Sequence, residues 1–137
     1  MIQISTDGGA RGNPGPAAYG FVVKNNNKLE REGQGYIGIA TNNVAEYTAV
    51  IEALKWLRIG YKGEDLEFYL DSNLVISQLS GIFKIKNSKI RDLVFQIREL
   101  ETDFSRIRYN HVPREKNKEA DRLVNQALDE HVRNSKH

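Results

Sequence analysis

The hydrophobic pattern changes period at residue 41, and that change limits the chain to folds that combine a sheet with helices. Before it, Ile2 and Ile4 alternate with Gln3 and Ser5, and Tyr19, Phe21 and Val23 alternate with smaller residues. Leu29 to Ile39 is a further extended stretch, weakened by Gly33, Gly35 and Gly38. The turn formers Lys24-Asn25-Asn26-Asn27-Lys28 divide the second run from the third. Three antiparallel strands with short loops are the simplest account. After the capping cluster Thr41-Asn42-Asn43, Val44 to Leu57 reads as a helix, ended by Gly60 and Gly63. A fourth strand follows, with Leu66, Phe68 and Leu70 alternating and Asp71 as its last residue, and Ser72 to Leu79 begins a short helix. Lys89 to Phe104 carries Ile90, Leu93, Val94, Ile97 and Leu100 at helical spacing. Arg106 to Val112 is a fifth strand stopped by Pro113, and Lys118 to about Val132 is the last helix. The whole is an α/β chain.

Its 137 residues suit one domain, expected over 1–132, with 133–137 a patternless tail that frays. Hydrophobic residues at 39% and charged residues at 28% describe a soluble globule. No apolar run approaches the roughly 20 residues of a membrane span, and the N-terminus lacks a charged-then-apolar signal, so the expectation is a cytoplasmic protein without a membrane partner. There is no cysteine, which removes disulfides and thiolate metal sites and leaves hard, oxygen-bound ions such as Mg²⁺ or Mn²⁺. The net charge of +2 is mild, but Lys84, Lys86, Lys89 and Arg91 cluster, as do Arg114, Lys116, Lys118 and Arg122. Each run is either a solvated face or a phosphate contact.

Four carboxylates carry the chemistry. Asp7 is read at the end of the first strand, followed by Gly8 and Gly9, which let another molecule's backbone come close. Glu46 shares a helical face with Val50, Ala53, Leu54 and Leu57, so it points toward the core. Asp71 sits at a strand-to-helix junction, and Asp121 lies at the edge of the stripe Ala120, Leu123, Val124, Ala127 and Leu128. Each has a plain structural alternative. Asp7 can open a turn, Glu46 can close a capping box on Asn43, and Asp71 or Ser72 can cap the helix after it. If the four converge, they repel one another unless a divalent cation neutralises them, and two such ions support in-line phosphoryl displacement.

The segments Thr6-Asp7-Gly8-Gly9-Ala10-Arg11-Gly12-Asn13-Pro14-Gly15, Thr41-Asn42-Asn43-Val44-Ala45-Glu46, Leu70-Asp71-Ser72 and Asn117-Lys118-Glu119-Ala120-Asp121 resemble type 1 ribonuclease H in order and spacing, over essentially the whole chain. The resemblance implies a five-stranded mixed β-sheet, three strands antiparallel and two parallel, flanked by helices on both faces. It also implies a monomer that cuts the RNA strand of RNA/DNA hybrids into 5′-phosphate and 3′-hydroxyl ends, with two Mg²⁺ ions, replaceable by Mn²⁺, on Asp7, Glu46, Asp71 and Asp121. By the same resemblance Gly8, Asn13, Asn43, Ser72, Asn73 and Asn117 hold substrate, and Thr41 touches a DNA phosphate. Short amides suit ribose 2′-hydroxyls, the mark of RNA. Double-stranded RNA remains open as a substrate, as do a recombination-type DNA nuclease of the same fold and a non-catalytic nucleic-acid-binding module.

This chain departs from the family twice. The basic, Trp-containing helix and loop of better-known members is replaced by Gly81-Ile82-Phe83-Lys84-Ile85-Lys86-Asn87-Ser88, so substrate grip falls to Lys84, Lys86 and Lys89. The usual catalytic histidine of the loop before Asp121 is missing. His111 and Arg114 are the two candidates to replace it: His111 precedes Pro113 and is read at the strand end as a structural residue, so the task is assigned to Arg114, which can bind the scissile phosphate or steady the departing oxygen.

Overall fold

A computed structural model describes residues 1–81 and 84–135. The element order is β1 (Ile2–Ala10), β2 (Gly15–Asn25), β3 (Lys28–Ala40), α1 (Asn42–Gly60), β4 (Asp65–Leu70), α2 (Asn73–Leu79), α3 (Ser88–Glu101), β5 (Arg106–His111), a 3₁₀ turn (Arg114–Lys116) and α4 (Lys118–Asn134). The five strands form one sheet in the order β3-β2-β1-β4-β5. β1, β2 and β3 are antiparallel, joined between β2 and β3 by Asn26 and Asn27 at φ 52° and 68°, the left-handed pair that a two-residue hairpin requires. β4 and β5 extend the sheet in parallel. The expected mixed sheet and all its strands are present.

Alternation along the strands produces two cores. Ile2, Ile4, Phe21, Val23, Leu66, Phe68 and Leu70 point to one face, where they meet Val50, Leu54 and Leu57 of α1 and, beyond it, Ile90, Leu93 and Ile97 of α3. Because α1 is enclosed by the sheet on one side and α3 on the other, Tyr47, Ala49 and Ile51 are buried in addition to the stripe read from the sequence. Each fully buried Leu, Val or Phe of this layer contributes on the order of 2 kcal/mol. On the opposite face Val124, Ala127 and Leu128 of α4 close over Ala18. α4 lies so near β2 that a Cβ at Gly20 would stand 2.6 Å from the Ala120 carbonyl oxygen. Ion pairs Lys24–Glu119 at 2.9 Å and Arg122–Glu32 at 2.7 Å flank that contact.

Several boundaries differ from expectation. β1 does not end at Asp7 but runs to Ala10, because β2 keeps pairing with it from Asp7↔Gly20 to Ala10↔Ala17. What ends early is the parallel ladder with β4, whose last pair is Ser5↔Tyr69, so Asp7 projects beyond that neighbour. α1 is capped by Thr41 and not Asn43: the Thr41 hydroxyl accepts the Val44 N–H at 3.2 Å. Glu46 therefore lies beyond the capping box and is released from that role. Asp71 follows β4 by one residue, Ser72 being the cap of α2. α3 stops at Glu101, and Phe104 is buried in the turn after it. α4 continues to Asn134, so Arg133 and Asn134 of the expected tail are helical. Lys136 and His137 of that tail, and Ile82 and Phe83 of the short segment before α3, lie outside the described residues.

Candidate active site

The offset between the two ladders of β1 builds the site. Asp7 stands where β4 has left the sheet, Asp71 leads out of β4 beside it, and the first turns of α1 pass over Gly8. A Cβ on Gly8 would overlap the Ala45 carbonyl and the Glu46 amide, so glycine lets α1 settle close enough to bring Glu46 to Asp7. One carboxylate oxygen from each of Asp7, Glu46 and Asp71 lies within 4.8 Å of the other two. Asp121 is exposed at the rim of the same 450 Å³ hollow, on the first turn of α4.

Electrostatics describes an incomplete cluster. Burial, then the charges of Asp71 and Asp121, raise the Asp7 carboxyl to about 7. Burial, then the charges of Asp7 and Asp71, raise Glu46 to about 9, with a backbone hydrogen bond from Gly8 opposing the rise. Glu46 Oε2 is buried without a hydrogen-bond partner among the described residues. A buried lone carboxylate oxygen beside two further carboxylates fits a hard divalent cation, which supplies the missing partner and cancels the repulsion.

Asn117, expected among the substrate-binding residues, is a buried neighbour of Asp71. It is 2% exposed, and its Nδ2 donates to Thr6 O at 2.9 Å and Asp71 Oδ2 at 3.1 Å, so it pins Asp71 to β1. Arg114 lines the hollow with the four acids, from the 3₁₀ turn beyond Pro113. His111 is the last residue of β5, at the strand end as expected, but it is exposed and makes no side-chain hydrogen bond among the described residues that would give it a structural task. Gly8, Asn43 and Ser72 line the hollow as well, while Asn73 is exposed on the first residue of α2.

A second, 530 Å³ groove adjoins the first, sharing Asn42 and Asn43, and is lined also by Asn13, Thr41, Lys86 and Lys89. Having accepted a backbone N–H as helix cap, the Thr41 hydroxyl keeps its own proton free to donate. Lys84 is exposed nearby in sequence but is not among the lining residues. Two asparagines lock the groove to the hollow. Asn13 Oδ1 accepts the Asn42 N–H at 3.0 Å, and Asn42 Oδ1 accepts the Ala10 N–H at 2.8 Å. The sequence singled out Asn13 but passed over Asn42, whose only local signal was its place in a capping cluster. Asn125, which donates to Asp121 O at 3.1 Å and Oδ2 at 3.4 Å, was missed for the same reason: an i, i+4 pair on an exposed helix face looks ordinary.

Comparison with known proteins bears on this geometry. The family described as Reverse transcriptase-like matches residues 5–127. A bifunctional protein of Mycobacterium tuberculosis is 43% identical over 131 residues, covering 93% of this chain and 35% of that protein. Ribonuclease HI of Halobacterium salinarum is 44% identical over 130 residues, 94% of this chain and 65% of that one. The chain thus spans about a third of the mycobacterial relative. Among solved structures, LC11-RNase H1 in complex with an RNA/DNA hybrid superposes with a TM-score of 0.92 at 39% identity, covering 96% of this chain and 99% of that one.

Proposed function

The chain belongs to the type 1 ribonuclease H family, and from that premise we propose that it hydrolyses the RNA strand of RNA/DNA hybrids endonucleolytically. The observation that carries the reading is the Asp7, Glu46 and Asp71 cluster, drawn within 4.8 Å and holding a buried carboxylate oxygen without a partner. Asp7, Glu46, Asp71 and Asp121 would hold two Mg²⁺ ions, with Mn²⁺ as substitute. Bound there, such ions would supply activation of a water and stabilisation of the leaving oxygen in an in-line displacement. The water oxygen bonds to phosphorus as the bond from phosphorus to the 3′-oxygen breaks, leaving a 5′-phosphate and a 3′-hydroxyl.

The protein's own groups orient that event. Asn117 holds Asp71 in place through its 3.1 Å hydrogen bond. Arg114 sets a permanent positive charge at the hollow, where it binds the scissile phosphate or steadies the departing oxygen. Asn43 and Asn73, with the glycine-exposed amides near Gly8 and with Asn13, which bonds to Asn42 where the hollow meets the groove, hold the RNA strand through its 2′-hydroxyls. The DNA strand follows the adjoining groove, where Thr41, Lys86 and Lys89 offer donors to its phosphates, with Lys84 adding charge at the approach. The protein works as a cytoplasmic monomer.

The test is cleavage of matched hybrid, RNA duplex and DNA duplex in Mg²⁺, with Asp71→Asn as control. Hybrid cutting that leaves 5′-phosphates and is lost in the control supports the reading. Preference for either homoduplex, or binding without cutting, refutes it.

A further inference from the structure

Among the described residues, Arg11 and Arg114 are the cations lining the hollow that also holds the four acids. Arg114 enters from the turn before α4, whereas Arg11 enters from the loop between β1 and β2, two residues after Gly9. Its backbone is anchored: Arg11 N–H donates to Pro16 O at 2.9 Å, and the neighbouring Ala10 N–H to Asn42 Oδ1 at 2.8 Å. The guanidinium leans on α4, with Nη2 2.7 Å from Asp129 Oδ1 and 3.5 Å from Asn125 Oδ1.

The side chains of that ion pair are 43% and 60% exposed. Exposed pairs contribute ~1 kcal/mol or less, so the contact exchanges readily with another anion. A carboxylate and a phosphate present a guanidinium with the same fork of acceptor oxygens. An anchored backbone carrying a guanidinium on an exchangeable carboxylate, beside a hollow built for a phosphodiester, describes a phosphate contact in its resting state.

We propose that Arg11 binds a phosphate of the RNA strand next to the scissile one, and that Asp129 is the resident anion which the strand displaces; this rests on the hybrid-nuclease reading above. The strand follows from position. Arg11 lines the hollow of the acids and not the adjoining groove with Thr41, Lys86 and Lys89, so the strand whose phosphate reaches the acids is the one that passes Arg11. The competing account is a tether, with the pair fastening the loop to α4. The two accounts predict opposite signs for loss of Asp129.

The experiment measures binding of a fluorescent RNA/DNA hybrid by anisotropy across a salt series, in an Asp71→Asn background so that the probe stays intact. Arg11→Ala is expected to raise Kd roughly tenfold and to lower the slope of log Kd against log salt by about one. Asp129→Asn is expected to lower Kd about twofold to threefold, an effect that disappears when Arg11→Ala is also present. Weaker binding by both single variants means a tether and overturns the proposal. A gain from Asp129→Asn that survives alongside Arg11→Ala means a general change of field, and also overturns it. If the wild type cuts hybrid while these shifts are absent, this inference alone fails. If the wild type neither binds nor cuts hybrid, the reading beneath it fails as well.

Discussion

Asp7→Asn is expected to stabilise the metal-free protein, by an amount that depends on pH in a defined direction. The Asp7 carboxyl is raised from 3.8 to about 7, chiefly by burial and then by Asp71 and Asp121. A raised folded-state value means that the native state holds its proton where the unfolded state has released it. Below pH ~4 both states are protonated and the site costs nothing; as pH rises through about 7 the native protein must ionise a buried group, and stability is lost. The displacement of about three pH units, at ~1.4 kcal/mol each, corresponds to roughly 4 kcal/mol. Asparagine keeps the shape and removes the charge, and it also relieves Glu46, whose carboxyl is raised to about 9 partly by Asp7. For a domain of this length, a few kcal/mol shifts Tm by on the order of 10 °C. Thermal unfolding in EDTA, followed by circular dichroism from pH 4 to 9, should show wild type and variant converging at the acid end and the variant about 10 °C higher at pH 8.5. Mg²⁺ should then raise the wild type more than the variant. A variant less stable at pH 8.5, or a difference that does not change with pH, would refute the argument that these carboxylates repel in a buried site.

Arg114→Ala should lower kcat tenfold or more, about 1.4 kcal/mol or above, with a smaller change in KM, while His111→Ala leaves kcat nearly intact; steady-state cleavage of a hybrid decides, and the reverse result exchanges their roles. Asn117→Ala should remove the donor that holds Asp71 and Thr6 O, costing roughly 1–3 kcal/mol of stability as well as activity. A fall in Tm with kcat unchanged would mean that Asp71 is positioned by something else. Gly8→Ala drives a methyl into the Ala45 carbonyl and should destabilise by about 3 kcal/mol or more, whereas Gly9→Ala, whose Cβ meets Val124 Cγ1 at 3.6 Å, should be mild. Urea unfolding of the two variants side by side checks the contrast.

Element types and the identities of the acids were legible in the sequence because they depend on neighbours a few residues away. Alternation marked β1 to β5 and helical spacing marked α1, α3 and α4, whereas the close approach expected of another molecule at Gly8 and Gly9 is made at Gly8 by the chain's own α1. Extents were less legible, since they depend on a partner. β1 passes Asp7 because β2 pairs it to Ala10, and the cap of α1 is Thr41, one residue before the Asn42 that ties the helix start to the β1–β2 loop. The order of the motifs suggested that four carboxylates converge, yet only the fold drew three of them within 4.8 Å and left Asp121 at the rim. The roles of Asn117 and Arg11 were beyond sequence reasoning. Their partners lie 46 and 118 residues away, and whether an asparagine faces solvent or supports Asp71 is decided by which elements close over it.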